Sequence, residues 1–531
     1  MTQEAKGDLP QFDDEQTLYL MMQRVADLVP EREALVIGNE RLTYRQLIER
    51  LDVLAVGLQR LGVQPGDRVG VILPTCLESA ALLLAPGKFG AVTVPMNPML
   101  RGHEVRHILA DSGAVALITV AEMYGHDYLK MIAAVRPTLP ALRYVVVKGA
   151  AGGDGIIPLD DLYKPSPAPG LPAVEVQASD PLYIIYTSGT TGQPKGAVHT
   201  HQTMLRSTAA ILQVVDHALL RSFLSPFPLF HVAGVMVGLA VFAVGNKMVL
   251  MERFHPQQAL GLIQQERISL FGGVPTILQT IASQPDLAKY DLSSLRMVGS
   301  GAAMVPPALV RAMKARLGCD TLIAYGITET SWLSITTPND PEYARLETVG
   351  RPVPGVEIRI VDDERRDLPV GQAGEIACRA PFIMKGYHNR PQQTAEVLDA
   401  DGWYYTGDIG SLDELGYIRI LDRKKDMIIR GGINVYPAEV ENFLVTHPGV
   451  LIAAAVGVTS AVGGERLRAY VITKPGATLT EAQILDHCRG QIAPYKIPDE
   501  VRLVAELPMT ATGKVQRFAL REQALKETAP V

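Results

Sequence analysis

One stretch, Tyr186-Thr-Ser-Gly-Thr-Thr-Gly-Gln-Pro-Lys-Gly196, limits what the rest of the chain can be. It follows the apolar run Leu182 to Ile185, which reads as the end of a buried strand. Gly189, Gly192 and Gly196 let backbone approach an anion closely. The hydroxyls of Thr187, Ser188, Thr190 and Thr191, with backbone N–H groups, donate to phosphate oxygens, and Lys195 adds a mobile positive charge. The composition fits a polyphosphate cradle. It is not the G-x-x-x-x-G-K-S/T loop, because Lys195 falls three residues after Gly192 and is followed by Gly196. A Gly- and Thr-rich surface loop is the plainer reading, but it does not explain this order of Gly, Thr, Pro and Lys behind a strand.

That order resembles the phosphate loop of the adenylate-forming superfamily, which includes acyl-CoA synthetases, adenylation domains of peptide synthetases and beetle luciferase. Further segments resemble the superfamily's motifs in sequence. Gly299-Ser-Gly-Ala-Ala-Met-Val305 is similar to its adenine-side loop, so Gly301, Ala302 and Ala303 are expected against the base, although Met304 stands where proline is common. In Tyr325-Gly-Ile-Thr-Glu-Thr330 the resemblance implies that Tyr325 stacks on adenine beside Gly326 and that Thr328 touches the α-phosphate. Glu329 and Thr191 would help hold Mg²⁺. Elementary chemistry agrees, since a hard cation wants carboxylate and phosphate oxygens and an aromatic face suits a purine. Asp408, in Trp403-Tyr-Tyr-Thr-Gly-Asp408, would accept the ribose hydroxyls, as an ionised carboxylate does well.

The stretch Leu421 to Glu441 resembles the joint between the superfamily's two domains. Five charged residues, Asp422 to Asp426, suit a solvated linker. The resemblance adds that Arg423 reaches the ribose, that Lys425 is the hinge, and that Gly431 and Gly432 line the pantetheine tunnel of CoA. Nothing specific follows from Ile433. Pro508-Met-Thr-Ala-Thr-Gly-Lys-Val-Gln-Arg517 matches the C-terminal loop, which makes Lys514 the lysine bridging substrate carboxylate and α-phosphate. A lone lysine in a polar loop is usually just solvated; its motif lifts it above that. Pro226 to Gly234 is similar to the segment that gates the acyl pocket, so His231 is either a pocket residue or a satisfied histidine at a helix start.

The 531 residues exceed what one core usually supports, so two or more domains are expected. A net charge of −6 without a basic tail makes nucleic acid and anionic membrane poor partners. Cys76, Cys319, Cys378 and Cys488 lie far apart, which suggests neither a zinc site nor a disulfide framework and points to a reducing cytoplasm. The polar, acidic Met1 to Gln16 does not read as a signal peptide, and the apolar run Val232 to Val244 is shorter than the roughly 20 residues of a membrane span.

Early in the chain a capping-box pair, Thr43 and Gln46, precedes a helix whose apolar residues Leu47, Ile48, Leu51, Leu54, Leu58 and Leu61 recur on one face. Strand- and helix-like runs then alternate from Val69 to Thr119, as in a wound α/β sheet with mostly parallel strands. Residues 149 to 180 read as a surface connection, His199 and His201 as sheet-face histidines, and Thr480 with Gln483 as the cap of a helix reaching about Ile492. The expected fold is α/β. A large N-terminal domain of wound sheets with a β-barrel-like subdomain spans 1–422, a small mobile α+β domain spans 423–531, and the hinge lies about 422–426.

The resemblance implies an acid:CoA ligase using ATP, Mg²⁺ and CoA. A carboxylate attacks the α-phosphate to give acyl-AMP and pyrophosphate, then CoA thiol takes the acyl group and AMP leaves. Pocket candidates near His231, Val235, Gly272 to Thr276, Gly299 to Ala303 and Trp332 are apolar or small, which favours an apolar acid. Alternatives are an enzyme that loads a carrier protein and a nucleotide-binding protein without catalysis. A homodimer is a possible assembly.

Overall fold

The computed structural model describes residues 16–149, 152–153, 155–164, 174–187, 194–430, 433–459, 465–510 and 514–528. Its largest part is two open sheets. The first has seven strands in the order Lys195–Thr200, Pro181–Thr187, Val92–Pro95, Arg68–Val71, Ala116–Val120, Tyr144–Lys148 and Ile156–Pro158. Every neighbouring pair is parallel except the first, a hairpin that joins Thr187 to Lys195. The second has nine strands, with a parallel centre that includes Leu270–Gly272, Met297–Gly301 and Asp320–Ile327 and antiparallel pairs at both ends.

The sequence pattern explains why the two sheets stack. The helix Val232–Ala243 is apolar on every face, so it is stable only where protein surrounds it, and all but one of its residues are buried. It shares one core with the helices Leu18–Leu28, Tyr44–Arg60 and His201–Leu212. Tyr44, fully buried, donates its hydroxyl to the Asn246 carbonyl at 2.7 Å and so pins two of these helices' ends together. Among the described residues, no helix is long and apolar enough to cross a membrane.

A four-stranded antiparallel sheet, Glu357–Val361, Gly374–Arg379, Tyr404–Leu412 and Ile418–Arg423, follows the nine-stranded sheet. Beyond it the chain builds a small α+β body on the strands Val450–Thr459, Glu465–Thr473 and Glu500–Leu503, with its own two apolar clusters. The large and small domains expected from the sequence are therefore both present.

Three local expectations are corrected. Part of 149 to 180 is structure, because Ile156–Pro158 pairs as the edge strand beside Tyr144–Lys148. The helix capped by Thr480 ends at Cys488, not near Ile492, since Arg489 is already extended. His199 lies on the sheet, but His201 opens the helix His201–Leu212, where its Nδ1 accepts from the Leu18 N–H at 3.1 Å.

The capping box is present as expected: Thr43 Oγ1 accepts from the Gln46 N–H, and Gln46 Oε1 accepts from the Thr43 N–H at 2.9 Å. Thr43→Ala removes the first of these and should lower stability by about 1 kcal/mol in denaturant unfolding. An unchanged midpoint would show that the cap contributes nothing.

Candidate active site

The carboxyl ends of the parallel strands in the nine-stranded sheet open into a cleft of about 2180 Å³, and the small domain forms its far wall. Strand ends are where this chain needs glycine. A Cβ on Gly301 would lie 2.6 Å from the Ala324 carbonyl oxygen, and one on Gly326 would lie 2.0 Å from that of Ser331. Ala302 takes a left-handed backbone with φ of 65°. Together with Ala303 these residues give a shallow, small-residue floor.

Polar groups converge above that floor. The Tyr325 hydroxyl donates to Asp408 Oδ2 at 2.8 Å, and Arg423 Nε lies 3.1 Å from Asp408 Oδ1. Asp408 and Arg423 are cross-strand partners in the four-stranded sheet, so their pairing follows from register. Tyr387 donates its hydroxyl to Glu329 Oε1 at 2.7 Å, and the Lys195 ammonium lies 5.2 Å from the Tyr387 ring centre. Burial, the largest influence, raises the Glu329 carboxyl pKa. The neighbouring Thr328 carbonyl accepts from the His199 ring at 2.7 Å, which fixes the turn carrying both residues.

Lys514 enters the same cleft from the small domain. Its backbone is tied to Thr510, whose N–H donates to the Lys514 carbonyl at 2.7 Å, while the Lys514 N–H donates to Thr510 Oγ1 at 3.0 Å. Burial first, and then the Arg423 charge, pushes the Lys514 ammonium down to about 8, while Asp408 and Glu329 oppose that shift. His231 is driven down to about 4 by burial and next by the Lys514 charge, so its ring is neutral at pH 7. Its Nδ1 accepts from the Ala233 N–H at 3.2 Å, while the ring lines the cleft. His231 thus caps its helix and lines the cleft.

Lys425 also borders the cleft, with its pKa lowered by burial and then by Arg423. Thr187 ends its strand, its hydroxyl 3.5 Å from the Lys195 carbonyl. Ser188, Gly189, Thr190, Thr191 and Gly192, and likewise Gly431 and Gly432, lie outside the described residues. Among the described residues no group of three His, Cys, Asp or Glu side chains could hold a metal by itself. One buried carboxylate, Glu329, fits a cation that takes its remaining ligands from phosphate oxygens and water.

The deep end of the cleft is apolar, bounded by Ile211, Leu212, Leu220, Phe223, Val237 and Ala240. Val235, expected on the pocket, is buried on the opposite face of its helix, near Leu83 and Leu84. The sequence could not separate these faces because Val232–Ala243 has no polar stripe. Tyr387 and His199 join the site without a signal in the sequence: no motif marks Tyr387, and His199 reads as a sheet-face histidine.

Two wound sheets, a large cleft at their strand ends and a lysine delivered by a small domain are the arrangement of an adenylate-forming ligase. Comparison with known proteins agrees. The model for AMP-binding enzymes matches residues 22–388 and that for the AMP-binding enzyme C-terminal domain matches 439–514. The chain is 36% identical to a methyl-dioxo-octahydroindenyl-propanoyl:CoA ligase of Rhodococcus jostii over 94% of this chain and 98% of that one. It is 35% identical to the mitochondrial medium-chain acyl-CoA ligase ACSF2 of Rattus norvegicus over 94% of this chain and 86% of that one. The crystal structure of the anthranilate CoA ligase AuaEII with anthranoyl-AMP superposes with a TM-score of 0.90 at 30% identity, covering 98% of this chain and 99% of that one. The chain belongs to the AMP-binding enzyme family, within the adenylate-forming superfamily, and is an AMP-forming acyl-CoA synthetase; ATP and CoA are the substrates of that enzyme family.

Proposed function

We propose that this synthetase activates an apolar carboxylic acid, aliphatic or aromatic, whose tail occupies the chamber bounded by Ile211, Leu212, Leu220, Phe223, Val237 and Ala240. The observation that carries this reading is that these six side chains, apolar and buried, line the same cleft as Lys514. The relatives named above act on acids as different as a fused-ring propanoate, medium chains and anthranilate, which supports an apolar acid more than any one member of that class.

The roles follow from charge. A carboxylate is a weak nucleophile approaching an anionic phosphate, so the site must supply positive charge where negative charge gathers. Lys514, at the meeting point of the acyl chamber and the nucleotide floor, bridges the acid's carboxylate and the α-phosphate. Thr328 donates to the α-phosphate, and the loop from Thr187 to Lys195 holds the phosphates that leave. Tyr325 stacks on adenine against Gly301, Ala302, Ala303 and Gly326. Asp408, oriented by Tyr325 and Arg423, takes the ribose hydroxyls. Glu329, with Thr191, would hold Mg²⁺, which when bound neutralises charge on the polyphosphate. His231, neutral, walls the acyl chamber at the point where thiol must arrive.

On this reading the orientation is the one for the first half-reaction, because Lys514 lines the same cleft as Asp408 and Glu329. CoA thiol then needs that space, so the small domain turns about Lys425, bringing Gly431 and Gly432 to the pantetheine arm.

Lys514→Ala should lower acid-dependent pyrophosphate release at least 10²-fold, the scale of one lost transition-state contact, while acyl-CoA formation from supplied acyl-AMP survives. Equal loss in both steps would refute this division of labour.

Protonated Lys514 is the active form and its pKa is about 8. Thus kcat/KM for adenylation, which reports the free enzyme, should be flat at neutral pH and fall as pH rises through about 8. A profile level to pH 10 contradicts the assignment.

A panel of acids assayed with and without CoA tests the substrate class. Apolar acids should release pyrophosphate best, with acyl-CoA appearing only when CoA is added. Ala240→Trp should cost roughly tenfold for each methylene excluded from the chamber and leave the shortest acids nearly untouched. Preference for diacids would overturn the reading, and pyrophosphate release with no acyl-CoA would turn the search to a carrier protein.

A further inference from the structure

The three residues at the joint are anchored in different ways. Lys424 belongs to the large domain: its ammonium lies 2.8 Å from Asp363 Oδ1 and 3.1 Å from Glu375 Oε2, and its N–H donates to the Gly407 carbonyl at 2.8 Å. Asp426 belongs to the small domain, where Arg521 Nη2 lies 3.1 Å from Oδ1 and Arg517 Nη1 lies 3.7 Å from Oδ2. Lys425 alone lies between these two anchors. The Asp426 N–H donates back to the Arg423 carbonyl at 2.9 Å, so a turn about Lys425 leaves both sets of side-chain contacts whole while that backbone bond must open.

Asp422 differs. Its backbone is fixed in the large domain, paired with Ile409 in the strand Ile418–Arg423. Its side chain, however, reaches into the small domain. Oδ2 accepts from the Ala438 N–H at 2.8 Å, in the first turn of the helix Pro437–Leu444, and Oδ1 lies 3.9 Å from Arg517 Nη1. The same helix carries Glu441, to which Arg517 Nη2 donates at both carboxylate oxygens, 2.7 Å to Oε2 and 2.9 Å to Oε1. Arg517 stands three residues after Lys514, beyond the bridge between Met509 and Val515. The path from Asp422 to Lys514 is therefore one helix end, one guanidinium and the stretch from Lys514 to Arg517. Asp422 is only 5% exposed, so its carboxylate has given up water for these contacts and cannot lose them cheaply.

We propose that Asp422 is a positioning residue that latches the small domain in the adenylating orientation, acting on Lys514 through Ala438 and Arg517. This rests on the two-orientation reading above. When the domain turns for the thiol step, Asp422 is the joint residue whose side chain loses partners, while the side chains of Lys424 and Asp426 keep theirs. The latch thus weights one orientation without touching substrate.

The test compares the two half-reactions in the full-length enzyme, using the best acid of the panel: pyrophosphate release without CoA, and acyl-CoA formation from chemically prepared acyl-AMP. Asp422→Ala should lower the adenylation kcat about 10- to 100-fold, the range for a lost hydrogen bond to a charged group, and leave thioester formation unchanged or faster. The intact second step also reports that the variant is folded. Asp422→Asn keeps an oxygen for the Ala438 N–H and should recover most of the lost rate. Equal loss in both steps, or an unchanged adenylation rate, overturns the latch. Lys514→Ala in the same assay separates the two ideas. If it slows both steps alike, the two-orientation reading fails and the latch falls with it. If it divides the steps while Asp422→Ala does not, the latch alone is wrong.

Discussion

A lysine ammonium taken out of water and set against two buried carboxylates is the constraint on which the rest of this structure depends. Lys514 is unstable in that place by itself, as its depressed pKa records, and Asp408 and Glu329 are what oppose the cost. The arrangement suits a substrate that brings negative charge. When nucleotide and acid are bound, the charge that makes the empty cleft expensive becomes the charge the reaction requires. The large domain supplies the carboxylates from strand ends and strand register, and the small domain supplies the lysine, so the site exists only when the two bodies meet.

That dependence explains the arginines near the C-terminus. Arg517 gathers Glu441, Asp422 and Asp426, and Arg521 adds a second hold on Asp426. Few of these contacts are ideal alone, but the group is largely buried and shared, the condition under which ion pairs couple most strongly. It makes the small domain's lysine loop, its helix Pro437–Leu444 and the joint behave as one body.

Much of this was legible in the residues. The order of motifs gave the family, the wound sheets and the two domains, and the Thr43 box appears where the spacing predicts. What stayed hidden was hidden for physical reasons. The helix Val232–Ala243 is apolar all round, so no periodicity could tell Val237 and Ala240, on the chamber, from Val235, packed away from it. The charged run Asp422 to Asp426 suits a solvated linker, yet Asp422 and Asp426 are buried, because their partners stand nearly a hundred residues later. Helix Glu481–Cys488, by contrast, stops at a signal the sequence does carry, since Gly490, just past the cap Arg489, takes the left-handed backbone with φ of 71°.

The most direct test of the account is a crystal structure of the enzyme with a non-hydrolysable acyl-AMP analogue carrying an apolar tail. The account predicts the Lys514 ammonium within hydrogen-bond distance of the acyl carbonyl or the phosphate mimic, the ribose on Asp408, and the tail between Ile211 and Ala240. A tail lying outside that chamber, or Lys514 in solvent while the analogue is fully bound, would contradict it.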